Sequence, residues 1–300
     1  MTDSGLLLVD KPAGPSSAQV VHRIKQHLGA KRVGHLGTLD PFASGLLLLG
    51  IKEGTKIADL FLHASKSYRG IMVLGVETDS QDATGKILQV RGVPSFGDSE
   101  LRNLEQQFFG DLHQVPPMFS ALKRHGVPLY RLARQGKEVP REPRAIRIEK
   151  LRLNRLTGAE IELELTCSRG TYVRTLVSDM GKVLGCGAHL KSLRRLACGH
   201  LHVDQAVTLD EVERLNSTDV CLLALEKALE PLQTIVWDKH LVSRLRLGQQ
   251  EILRHLDKPI GNEKLARILD PRGGLAALVQ WVDDVPTGRW RLSRTFKCNI

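Results

Sequence analysis

One carboxylate stands inside a glycine-punctuated run, Gly34-His35-Leu36-Gly37-Thr38-Leu39-Asp40-Pro41-Phe42-Ala43-Ser44-Gly45. An ionised carboxylate can attack an electron-poor carbon or stabilise a developing cation. Pro41 confines Asp40 to extended conformations. Gly37 and Gly45 would let the backbone approach a ligand closely. The run leads into the apolar stretch Leu46–Ile51, and a loop borne on a rigid strand is a good place for a reacting side chain. By residue type alone, Asp40 serves equally well as a turn residue.

Two further stretches carry usable chemistry. Lys66-Ser67-Tyr68-Arg69-Gly70 opens a strand pattern. Tyr68 there offers a face for a nucleobase, or is simply a half-buried strand tyrosine. In Ser168-Arg169-Gly170-Thr171-Tyr172-Val173-Arg174-Thr175-Leu176, Gly170 ends a strand and Thr171 can cap the next helix. Arg174 then falls in the first turn, where a cation opposes the helix dipole at a cost of about 0.3–1 kcal/mol. Either an anion answers it, or it is a surface arginine. Gly45-x4-Gly50-Ile51-Lys52 fails as a phosphate loop, because Ile51 separates Gly from Lys and no Ser or Thr follows. The histidines show no H-E-x-x-H or Cys/His spacing, so no metal site is expected. Asp79, Asp82 and Gly85 suit a turn better than a calcium loop.

The elements that must hold these residues follow from periodicity. A strand over Gly5–Asp10 precedes a helix capped by Ser16 or Ser17 and ending at Gly29. Residues 30–45 read as loop, Leu46–Ile51 as strand, Thr55–Ala64 as helix, Ser67–Val76 and 86–91 as strands, and Asp98–Phe109 as helix. Residues 111–144 are rich in Pro, Gly and basic residues and read as an irregular insertion, with a short helix near 127–135. An antiparallel pair, 145–153 and 159–168, turns at Thr157–Gly158 and leads to a helix over Thr171–Leu184. Pro231 divides a domain over 1–231 from a β-rich tail over 232–300, with segments 275–282 and 289–296 around a Val285–Gly288 turn. Strands and helices mix without regular βαβ alternation, so the class is α+β with a mostly antiparallel sheet.

The chain has 300 residues and a net charge of +10. Residues 121–150 hold net +6 and residues 181–200 net +4, so the other 250 residues are neutral together. Such clustering marks either solvated faces or a polyanion footprint. Five cysteines without a C-x-x-C pair suggest reduced thiols in a cytosol. No apolar run approaches the roughly 18 residues of a membrane span, and the start lacks a signal-peptide pattern.

The stretches together resemble the TruB family of tRNA pseudouridine-55 synthases. The resemblance runs from Gly5-Leu6-Leu7-Leu8-Val9-Asp10-Lys11-Pro12, through Gly34 to Pro41, Lys66-x-Tyr68 and Val115-Pro116-Pro117-Met118-Phe119-Ser120-Ala121-Leu122-Lys123. It continues through Gly170-Thr171-Tyr172-Val173-Arg174-Thr175 and Gly187-Ala188-His189-Leu190-x-x-Leu193-Arg194-Arg195, over residues 5 to about 210. Leu36 departs, where the family usually has Thr. The resemblance implies a pseudouridine synthase fold with a PUA-like RNA-binding tail. It implies a monomeric cytoplasmic enzyme without cofactor, acting on the T arm of tRNA. Asp40 would be the catalytic carboxylate, held ionised and oriented by Arg174. Tyr68 would stack on the base and help remove a proton. His35 and Leu193 would hold the flipped base. Lys11, Lys66, Lys123, Arg124, Arg141, Arg144, Arg194 and Arg195 would contact substrate, the phosphates mainly through 121–150 and 181–200 and less through the tail. A non-catalytic RNA-binding module would not need Asp40, Tyr68 and Arg174 together. A glycosidase-type hydrolase would need a second acid, and none accompanies Asp40 in its loop.

Overall fold

A computed structural model describes residues 4–261, 263–283 and 288–297. Its main sheet has ten strands. Along the sheet run Val207–Thr208, Gly5–Lys11, Ser44–Ile51, Ala188–Cys198, Lys66–Leu74, Glu160–Cys167, Arg144–Arg155 and Gly110–Gln114. Leu201–His202 pairs with the 188–198 strand and Val33–His35 with the 44–51 strand. Two neighbouring pairs are parallel, Val9↔Val207 and Arg194↔Ser44, and the other pairings are antiparallel. The mostly antiparallel α+β reading holds.

The consecutive leucines of the Gly5–Lys11 and Ser44–Ile51 strands have a simple cause. Side chains alternate between faces, and both faces of this sheet are covered. Leu7, Val9, Leu47 and Leu49 pack into the main core, under Val20 and Ile24 of the helix Ser17–His27 and Leu176, Val177 and Met180 of the helix Val173–Val183. Leu6, Leu8, Leu46 and Leu48 point the other way and meet Leu225, Leu275, Leu278 and Phe296.

The tail builds a four-stranded sheet, Gln233–Val236, Leu265–Leu269, Leu275–Val282 and Arg289–Thr295. Trp237, Val242, Leu245, Ile268, Val279 and Trp290 give it a core of its own. Its first two strands were not legible, being runs of four and five residues. The Val285–Gly288 turn lies mostly outside the described residues, as does Cys298.

Other elements shift. Val33–His35 is a strand inside the expected loop. The helix expected at Thr55 starts as a 3-10 turn over Lys52–Ile57. The insertion expected at 111–144 is partly sheet, because Gly110–Gln114 forms its edge strand. Beyond that strand lie a short hairpin, Lys123–Arg124 with Val127–Pro128, and the helix Leu129–Arg134. Thr171 does not cap the following helix. Tyr172 is its N-cap, without a side-chain cap bond, and the Thr171 hydroxyl donates to Ser168 O.

Candidate active site

Arg174 is the second residue of the helix Val173–Val183 and is 4% exposed. Its guanidinium joins three separate segments. Nε donates to Asp40 Oδ2, Nη1 to Ser80 O and Nη2 to Phe119 O, each at 2.8 Å. Asp82 Oδ2 lies 3.7 Å from Nε. The cation that opposes the helix dipole is thus answered by two carboxylates. Its rigid planar fork sends the three bonds from three separate nitrogens, whereas an ammonium presents its donors from a single atom.

By its sequence setting Asp82 is only a turn residue. It does form the turn, since Oδ1 accepts from Ser80 Oγ, Thr84 N and Thr84 Oγ1. It is also the second acid beside Arg174, brought there through the fold rather than through the Asp40 loop. Its burial, with 7% of the side chain exposed, leaves Asp40 as the outward-facing carboxylate, with 37% exposed.

The Asp40 loop is held from beneath. Ser17 Oγ both accepts from Leu39 N and donates to Leu39 O. Gly14 N donates to Pro41 O. Lys11 is fully buried, and its ammonium donates to the carbonyls of Pro12, Pro15 and Pro41. Burial lowers its pKa to about 8, with the Asp40 charge acting against that shift and Arg195 with it. Arg195, 2% exposed, donates to Leu46 O, Thr38 O and Gly37 O. Gly45 has φ +100°, and a Cβ there would lie 2.2 Å from Arg195 O. That glycine permits close packing of two strands, not of a ligand.

Three expected substrate contacts are therefore corrected. Lys11 and Arg195 direct their donors inward and brace the loop. Lys66, 8% exposed, does the same with the carbonyls of Phe61, Leu62 and Ala64. Nothing in their types told a bracing cation from a phosphate-binding one. Leu193, 7% exposed, is a core residue. Leu36 is buried in the second core.

Tyr68 is half-buried on the Lys66–Leu74 strand, opposite Arg195 in register. Burial pushes its hydroxyl up to about 12. A phenol that stays protonated to that pH is a poor proton acceptor at neutrality. His35 is half-buried with Nδ1 lacking a partner, and burial, then Arg195, lower its pKa.

Among the expected phosphate contacts, Lys123 and Arg144 are exposed. Arg124 donates to Pro140 O, and Arg141 to Glu138 and Pro116 O. Arg194 makes a two-pronged pair with Asp10 at 2.9 and 2.6 Å. The tail is also more basic than two-segment clustering implied. Residues 232–300 carry net +5, masked by net −5 over residues 201–231.

The comparisons agree with one another. Residues 25–173 match the TruB family pseudouridylate synthase N-terminal domain, and residues 174–237 match the tRNA pseudouridylate synthase B C-terminal domain. The tRNA pseudouridine synthase B of Opitutus terrae is 46% identical over 228 residues, 76% of this chain and 92% of that protein. That of Methylobacillus flagellatus is 42% identical over 248 residues, 82% of each. A crystal structure of a Cbf5-Nop10-Gar1 complex matches with TM-score 0.71 at 22% identity, over 98% of this chain and 85% of that one, which shows the shared fold. No helix among the described residues is long and apolar enough to cross a membrane. With its sheet, its loop and its relatives in accord, the chain belongs to the TruB family of pseudouridylate synthases.

Proposed function

We propose that this chain isomerises uridine-55 in the T loop of tRNA to pseudouridine, with Asp40 as the catalytic carboxylate. The observation that carries the reading is the pairing of a buried Arg174 with an outward-facing Asp40. An acceptor-only carboxylate held by a fixed cation is aimed and cannot turn away. The bond from ribose C1′ to uracil N1 breaks, the base turns, C1′ joins C5, the C5 proton passes to water, and N1 takes a proton from water in its place. Atoms and charge balance without redox change, so the carboxylate alone suffices as nucleophile or cation stabiliser. The base must leave its stack, at a cost of a few kcal/mol. Stacking on Tyr68 offsets part of that, by about 1–3 kcal/mol.

In this reading residues 1–231 form the catalytic domain. The tail over 232–300 is a PUA-like RNA-binding domain, with its net +5 toward phosphate. Lys123, Arg144 and their neighbours meet the T arm, where unpaired bases are readable. The enzyme works as a monomer in the cytoplasm. The relatives' names support the tRNA assignment. Incubation with an unmodified tRNA transcript, followed by mapping of pseudouridine, tests it. The reading predicts one modified site, uridine 55. Modification elsewhere, or none, contradicts it.

A further inference from the structure

Gln114 ends the strand Gly110–Gln114 and is 4% exposed. Its Oε1 accepts from Tyr172 N at 2.8 Å, and its Nε2 donates to Tyr172 O at 3.1 Å. One carboxamide thereby bonds both backbone groups of a single residue 58 positions away, whose carbonyl also accepts from Leu176 N at 3.0 Å. Tyr172 is the N-cap of the helix that bears Arg174, and no side chain of its own caps that helix. The same chain segment runs on through Pro116 and Pro117 to Phe119, whose carbonyl accepts from Arg174 Nη2. It is fixed behind by register with Arg144 and by the Arg141 bond to Pro116 O.

We infer that Gln114 is a positioning residue. It sets the start of the helix so that Arg174 presents Nε to Asp40. Only a group that accepts and donates side by side can serve an N–H and a C=O of one residue together. A carboxylate accepts from the N–H but repels the carbonyl oxygen. A protonated carboxyl group does both and copies the amide. Methionine fills the volume and does neither. A displacement of about 1 Å at Arg174 is enough to misaim Asp40 and cost on the order of 100-fold in rate.

The inference rests on the isomerase reading, and its test separates the two. Single-turnover pseudouridine formation and tRNA affinity are measured for wild type, Gln114→Met and Gln114→Glu across pH. If wild type forms no pseudouridine, the isomerase reading fails. If wild type is active, Gln114→Met is expected to lose about 30-fold to 100-fold in rate with affinity within about threefold. Gln114→Glu is expected to be slow at alkaline pH. It should gain on wild type as pH falls and its carboxyl protonates, a reversal within one folded protein that a mere packing role would not produce. A wild-type rate in Gln114→Met, or a Gln114→Glu to wild-type ratio flat with pH, overturns the inference.

Discussion

Arg174 and Asp40 meet at 2.8 Å with unequal burial, 4% of the arginine side chain exposed against 37% of the aspartate. The cation is part of the protein interior and the anion is part of its surface. Arg174 is thus fixed by its other acceptors, Ser80 O and Phe119 O, and Asp40 is fixed by Arg174.

Replacement of Arg174 should therefore act twice. Arg174→Lys keeps charge but replaces three fixed, separate nitrogens with a single mobile one, and should lower the single-turnover rate by about 100-fold. Arg174→Ala also leaves Asp82 buried beside no cation, and should destabilise the fold by about 3 kcal/mol. Denaturant titration and rate measurement on both variants check this. An Arg174→Ala protein as stable as wild type would mean that Asp82 does not depend on it.

Lys11 gives a pH signature. Its pKa is lowered from 10.5 to about 8, so the folded state holds the charged form at a cost. That cost is full below about pH 8 and fades as pH rises toward the unfolded value, so this group makes the fold more stable through that window. Activity should move the opposite way. A neutral amine has two hydrogens and cannot serve the Pro12, Pro15 and Pro41 carbonyls together. The rate should fall as pH passes about 8, over a range from about 6.5 to about 9. Lys11→Met should be slower throughout and lack that limb. Tyr68, pushed up to about 12, adds no ionisation there. The same limb in Lys11→Met would assign it elsewhere.

The salt dependence of tRNA affinity should separate outward from inward cations. Each Lys or Arg that meets a phosphate contributes about 0.7–0.9 to the slope of log K against log salt. Lys123 and Arg144 are exposed, and their joint replacement by Gln should flatten the slope by about 1.5. Arg195→Gln should leave the slope unchanged while lowering the rate, since Arg195 is buried against the Asp40 loop. A slope changed by Arg195→Gln and not by the exposed pair would reverse the assignment.

What the sequence made legible was local. The glycines around Asp40, the helix after Gly170 and the misfit of Arg174 in its first turn all lie within one element, and the misfit predicted an anionic partner that the fold supplies. What escaped was convergence. Gln114 reaches Tyr172 across 58 residues and Arg174 reaches Ser80 across 94, and no periodicity encodes such meetings. Lys11, Lys66 and Arg195 escaped for a related reason. A basic residue looks alike in sequence whether phosphates or a cluster of inward carbonyls await it.

The central claim is that the Asp40 carboxylate performs the isomerisation, and Asp40→Asn tests it most directly. The amide keeps an oxygen for Arg174 Nε, so the loop and its geometry should persist. With saturating unmodified tRNA, the variant should form no pseudouridine at position 55 while its affinity stays within about threefold of wild type. Turnover by Asp40→Asn at a rate approaching wild type would contradict the account.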